Sequence, residues 1–327
     1  MKARPEKYRA PWWLPGGHLQ TIAAALAPAP RIPWRRERWD TPDGDFIDLD
    51  WADPAAEAGD GPLLALFHGL EGSSASPYAR AIAAQALAAG WRCVVPHFRG
   101  CSGELNRLPR AYHSGDSAEI AWILERLGAD YAPGGVLNAR GGVLYAVGIS
   151  LGGNALLKYL GERGTGVRVR RAAAVSAPLE LGTAARHLDR GLNRRLYTKM
   201  FLRSLVRKSM AKLAHYPGLF DAARVRAAST FYEFDDAVTA PLHGFRGADD
   251  YWTRSASGPW LERIAVPTLV LNARNDPFLP AQALDAVRGR DIPSNVTLEF
   301  PHTGGHAGFP GRGRWLARRT LAFLAET

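Results

Sequence analysis

The 327-residue chain is 46% hydrophobic and 22% charged, an ordinary globular composition that excludes a disordered or low-complexity protein. Its two cysteines, Cys93 and Cys101, exclude a disulfide framework, and no apolar run reaches the ~18 residues that span a bilayer. The net charge of +10 comes from 35 Arg and 6 Lys in an Ala- and Gly-rich chain. That reads as compositional bias, and without zinc-finger, basic-zipper or RNA-binding aromatic spacing no nucleic-acid partner is expected.

In chain order, the first feature is PWWLPGGHLQTI, Pro11 to Ile22. It is too aromatic for a flexible tail and carries no catalytic pattern by itself. The following IAAALAPAP is too short and proline-broken for a secretory signal, so a cytoplasmic location is expected. FIDLDW alternates apolar and polar residues, predicting a half-exposed strand. The runs at 63–69, 91–98, 142–150, 171–178, 267–273 and 296–300 are short, apolar and bounded by turn residues, as strands buried on both faces are. Helical patterns lie between them: SPYARAIAAQALAAG, GDSAEIAWILERLGAD and GGNALLKYLGERG, with RGRWLARRTLAFLAET at the end. Alternation of this kind predicts an α/β fold with a mostly parallel sheet and helices on both faces. The alternation breaks between Pro178 and Pro267, where helical patterns and aromatic loops predict a cap at about 179–266, over the carboxyl ends of the strands.

Gly148-Ile149-Ser150-Leu151-Gly152 joins a strand to a helix. The spacing G-x-S-x-G alone would occur by chance in about one chain in ten of this length, so the context carries the weight. A serine on a tight strand-to-helix turn projects its hydroxyl above the sheet, and the glycines admit the close packing of strand and helix. Such a hydroxyl needs a base, and the base needs an acid. Asp276 in NARNDPFLP and His306 in PHTGGHAGF follow in the order serine, acid, base, each past a strand's carboxyl end. His302 is the rival base, and Asp235 and Asp236 are rival acids. The backbone N–H groups of Leu70 and Leu151 are the candidate oxyanion donors. His68 reads as a buried histidine bonded to neighbouring backbone. An aspartate-nucleophile dehalogenase or epoxide hydrolase is disfavoured by the serine at the elbow.

HGLEGSS, PHFRGCSGE, YAVGISLGGNALLKYLGE, FYEFDDAVTAPLHGF, YWTRSAS, NARNDPF and GGHAGF, in this order, resemble the YheT-like (AB hydrolase 4) branch of the α/β-hydrolases, with GGHLQT at the start as a further mark. The resemblance runs from about Pro11 to the C-terminus. It implies an α/β-hydrolase fold, carboxylic-ester hydrolysis of the short-chain type, and Ser150, Asp276 and His306 as nucleophile, acid and base. Animal relatives are linked to acylglycerol and phospholipid hydrolysis; this chain is expected to lack their N-terminal membrane anchor. By the same resemblance residues 1–34 form an N-terminal arm packing on the domain of residues 35–327. Trp12 and Trp13 are expected to bury against the cap, Gly16 and Gly17 to turn the chain, and His18 and Gln20 to act as structural hydrogen-bonders. The arm is then expected to wall the acyl pocket.

Residues 186–212 hold nine Arg or Lys and one Asp, with Leu192, Leu196 and Met200 in one row and Tyr197, Phe201 and Leu205 in another. This basic amphipathic helix fits either a cap helix facing the site or peripheral contact with an anionic membrane. The sequence therefore predicts a serine hydrolase acting through an acyl-enzyme on a small-molecule ester or acyl lipid, with no metal or organic cofactor. A monoacylglycerol or lysophospholipid lipase, a thioesterase or an amidase, and a non-catalytic lipid-binding hydrolase fold, are the alternatives.

Overall fold

The computed structural model describes residues 7–54, 61–130, 142–311 and 313–326. The first six residues of the expected arm, and the two ends of the expected terminal helix at 312 and 327, lie outside the described residues. Eight strands form one sheet: β1 (Arg35–Asp40), β2 (Phe46–Ala52), β3 (Leu63–Phe67), β4 (Arg92–Pro96), β5 (Leu144–Ile149), β6 (Arg171–Val175), β7 (Thr268–Leu271) and β8 (Val296–Glu299). Their spatial order is β1-β2-β4-β3-β5-β6-β7-β8. β3 to β8 are mutually parallel, and β1 and β2 add an antiparallel edge.

The period-2 geometry of a strand sorts the core into two layers. Leu63, Ala65 and Phe67 face one side with Ile120, Leu124, Leu156 and Leu160. Leu64 and Leu66 face the other, with Ile82, Ala83, Leu316 and Leu321. Helices α2 (Pro77–Ala88), α3 (Ser117–Asp130) and α4 (Leu151–Arg163) follow the strands as the alternation predicts. α1 (Gly16–Leu26) precedes the sheet. Every residue of β3 and β5 is buried, each aliphatic side chain contributing about 1.5–3 kcal/mol by leaving water.

Two strand expectations are corrected. The run at 296–300, expected to be buried on both faces, forms the edge strand β8 with Thr297 exposed, and FIDLDW is buried on both faces rather than half exposed. Its aspartates are tolerated inside because Arg36 donates to Asp50 and Arg38 to Asp48, with Ser74 and Ser102 completing the carboxylates. β1, RRERWD, has only Trp39 as an apolar residue and no strand signal. It is recruited by pairing with β2 and by those same arginines.

Between β6 and β7 the described residues form helices and turns, including Leu181–Leu188, a π-helical turn at Arg194–Thr198, Lys199–His215 and Ala248–Ser255, so the single basic helix expected over 186–212 is broken at Asp189 and Arg190. They carry an apolar cluster of their own, in which Leu181, Tyr197, Leu202, Phe234 and Trp252 meet Phe278 of the main domain. The tryptophans of the arm do not bury as expected: Trp12 is 92% and Trp13 61% exposed. Polar contacts of α1 with the loops after β7 and β8, and the buried ring of Tyr8, edge-on to Phe309, hold the arm instead.

Candidate active site

Ser150 sits between β5 and α4 with φ 53° and ψ −117°, a left-handed backbone that costs a non-glycine residue energy. Two close approaches enforce the turn. A Cβ on Gly148 would lie 2.6 Å from Cα of Gly153, and one on Gly152 would lie 2.6 Å from the carbonyl oxygen of Phe67. The turn is also bonded into the sheet, since Ser150 N–H donates to Val175 O at 2.8 Å. The strand therefore ends with the hydroxyl above the sheet and the α4 N-terminus beside it.

Asp276 follows β7 and His306 follows β8, and His306 bridges Asp276 to the serine. His306 Nδ1 lies 2.8 Å from Asp276 Oδ2, and His306 Nε2 lies 2.9 Å from Ser150 Oγ. The carboxylate accepts the Nδ1 proton, which leaves Nε2 free to accept the serine proton. Asp276 is buried, and its Oδ1 accepts from Phe278 N–H at 2.8 Å, so its direction is fixed. The Phe278 ring stacks on the imidazole at 3.9 Å and fixes its plane.

Ser150 and His306 open onto a cavity of about 780 Å³, within the ~300–1,000 Å³ range of small-molecule sites. Its walls are mainly apolar: Leu70 from the main domain and Leu188, Phe201, Phe231, Val238 and Trp252 from the inserted segment. α1 contributes Ile22 and Leu26, so the arm lines part of this space.

A family profile described as alpha/beta hydrolase fold matches residues 62–311. The chain belongs to the α/β-hydrolase family. It is 40% identical over 303 residues to "Putative esterase YheT" of Escherichia coli (strain K12), covering 90% of this chain and 84% of that one, which puts it in the YheT-like branch. It is 30% identical over 311 residues to "Phospholipase ABHD3" of Mus musculus, covering 93% and 73% of the two chains. An esterase of Pyrococcus furiosus, Pf2001, shares the fold with a TM-score of 0.59 at 14% identity, covering 98% of this chain and 96% of that one.

Among the described residues none of the rival residues of this hydrolase bonds to His306 or Ser150. His302 is exposed. Asp235 accepts from Thr239 and Trp252, and Asp236 pairs with Arg224, all within the inserted segment. His68 is buried, its Nδ1 2.7 Å from Gly69 O and its Nε2 accepting from Phe98 N–H. Burial and the neighbouring His97 lower its pKa to about 3, so it is neutral. Among the described residues neither Leu70 N–H nor Leu151 N–H has an acceptor. Gly69 brings the first of these loops onto the elbow, since a Cβ there would lie 3.1 Å from the Ser150 Cβ.

Gln20 and Thr21 are the residues whose part the sequence understates. Gln20 Oε1 accepts from Gly304 N–H and from Asn275 Nδ2, and Asn275 Oδ1 accepts from Gly305 N–H. Thr21 Oγ1 accepts from His306 N–H at 2.8 Å. The arm thus grips the loops of both Asp276 and His306. Gly17 permits it, because a Cβ there would fall on the Asn275 carbonyl. The signal was present as GGHLQT, but its partners lie some 255–285 residues away. Glu71, at φ 55° beside Leu70, is a second case. Its carboxylate accepts from Lys208 and Ser204 of the inserted segment and from Tyr112.

Proposed function

We propose that this hydrolase cleaves carboxylic esters by acyl transfer through Ser150, His306 and Asp276. The supporting observation is the imidazole of His306 bridging Ser150 Oγ at 2.9 Å and the buried Asp276 carboxylate at 2.8 Å, at the floor of an apolar cavity. Ser150 Oγ attacks the ester carbonyl carbon while His306 Nε2 takes the hydroxyl proton. Asp276 keeps the imidazole in the receptive tautomer and balances its charge. The carbonyl oxygen becomes an oxyanion facing Leu70 N–H and Leu151 N–H, where one donor is worth about 2.7–4 kcal/mol of barrier. Collapse breaks the C–O bond, and His306 returns the proton to the leaving alcohol. Water, deprotonated by His306, then releases the acid and restores Ser150.

The cavity favours esters with an aliphatic chain over the smallest acyl groups, which fits a monoacylglycerol or lysophospholipid and agrees with the phospholipase name of a relative. The test is covalent labelling by a fluorophosphonate together with hydrolysis of p-nitrophenyl and monoacyl lipid esters. Labelling and turnover are expected in the parent and absent in Ser150→Ala. Labelling that persists in Ser150→Ala, or no turnover of any ester, sinks the reading. Matching thioesters and amides separate those alternatives.

A further inference from the structure

Large apolar side chains at the surface are concentrated in two segments. Among the described residues nine are exposed, and all but Tyr232 come from the arm or from residues 192–200. α1 presents Leu19, Ile22 and Leu26 at i, i+3 and i+7, a single stripe, with Leu26 78% exposed. Beside it stand Leu192, Leu196 and Met200, with Met200 56% exposed. The second row expected from the sequence, Tyr197, Phe201 and Leu205, turns inward. The two segments touch, since His18 Nδ1 lies 3.0 Å from the Tyr197 hydroxyl and the rings stack. Ile22, Leu26, Leu196 and Met200 also line the cavity that reaches Ser150. These exposed side chains are therefore the rim of its mouth. Trp12 and Trp13, just before α1 in the chain, are exposed as well.

The charge carried by the two rim segments themselves has one sign. Arg195, Lys199 and Arg203 are exposed and run alongside Leu196 and Met200. No Asp or Glu occurs from Lys7 to Arg36 or from Arg190 to Phe220. We propose that this rim docks the hydrolase on an anionic lipid surface, so that the cavity mouth opens into the lipid layer. Exposed aliphatic and tryptophan side chains enter the acyl boundary while the basic row meets the headgroups. A second copy of the chain suits the rim less well, because self-apposition would set the basic rows against each other. The inner face of the same α1 holds Gln20 and Thr21 on the Asp276 and His306 loops, so the docking element is rigidly joined to the site.

The test uses full-length Ser150→Ala protein, so that binding is measured independently of turnover. Co-sedimentation is expected with vesicles of phosphatidylcholine plus phosphatidylglycerol and to be weak with phosphatidylcholine alone, and salt is expected to release the protein. Arg195→Glu/Lys199→Glu/Arg203→Glu should weaken binding on the order of a hundredfold, since each basic residue at such a surface is worth about 1 kcal/mol. Ile22→Gln/Leu26→Gln/Met200→Gln should abolish it, with thermal melting checked for both. Should a variant fail to fold, the salt and lipid dependence of the unsubstituted surface still decides. Equal binding to both vesicle types, or none at low salt, overturns the proposal. So does a dimer that the Gln variant dissociates while no vesicle binding occurs.

Discussion

Asp235 illustrates how much a single side chain depends on its surroundings. It lies in the cavity wall, and burial raises its pKa to about 7, against the hydrogen bonds from Thr239 and Trp252. In the unfolded chain the same carboxyl ionises near 3.8. The folded state therefore holds this proton over the range in which the unfolded state has released it. The contribution is full below about pH 4 and is lost as pH rises towards about 7. In urea titrations Asp235→Asn is expected to gain stability relative to the parent steadily across that window. A difference that does not change with pH would contradict the assignment. His68, neutral with its pKa lowered to about 3 by burial and His97, should contribute no titration near neutrality.

At the scale of elements, α1 is a brace for the site and not a tail. Gln20→Leu removes the acceptor shared by Gly304 N–H and Asn275, and a shift of about 1 Å at the catalytic groups can cost on the order of a hundredfold. A fall of about tenfold to a hundredfold in ester kcat, with KM little changed, is the expected result; unchanged kcat in a folded protein would refute it. The Glu71 contact joins the Leu70 loop to the inserted segment through Lys208 and Ser204. Lys208→Met is expected to lower kcat about tenfold while melting stays close to the parent's, since a part-exposed ion pair is worth about 0–1 kcal/mol. Equal losses in both would mark the contact as merely structural. The elbow at Ser150 was legible because its cause is local: a buried strand, a helix start and glycines where a Cβ would strike backbone. The arm's contacts were not legible, because hydrogen-bonding side chains reveal nothing about partners 284 or 285 residues away.

For the whole molecule, the sheet carries the site and the inserted segment with α1 closes an apolar cavity over it. If the acyl chain lies in that cavity, kcat/KM on p-nitrophenyl esters should rise about fourfold per methylene, from about 0.8 kcal/mol each, until the space is filled. A flat profile from acetate upwards would place the chain elsewhere. Among the described residues no helix is long and apolar enough to cross a membrane, and the lipid contact argued above lies at the rim alone.

Periodicity and turn residues by themselves determined the α/β class, the positions of six of the eight strands, five of them as buried runs, the helices between them, and the interruption between β6 and β7. Each of these depends on neighbours within a few positions in the chain. Packing decided the rest. It buried Asp48 and Asp50 against arginines of a strand with no strand signal, left Trp12 and Trp13 in water, and turned one row of residues 192–205 inward and the other out. A side chain's propensity is set by its own chemistry, but its burial is set by which distant surfaces arrive beside it, and only the folded chain brings those together.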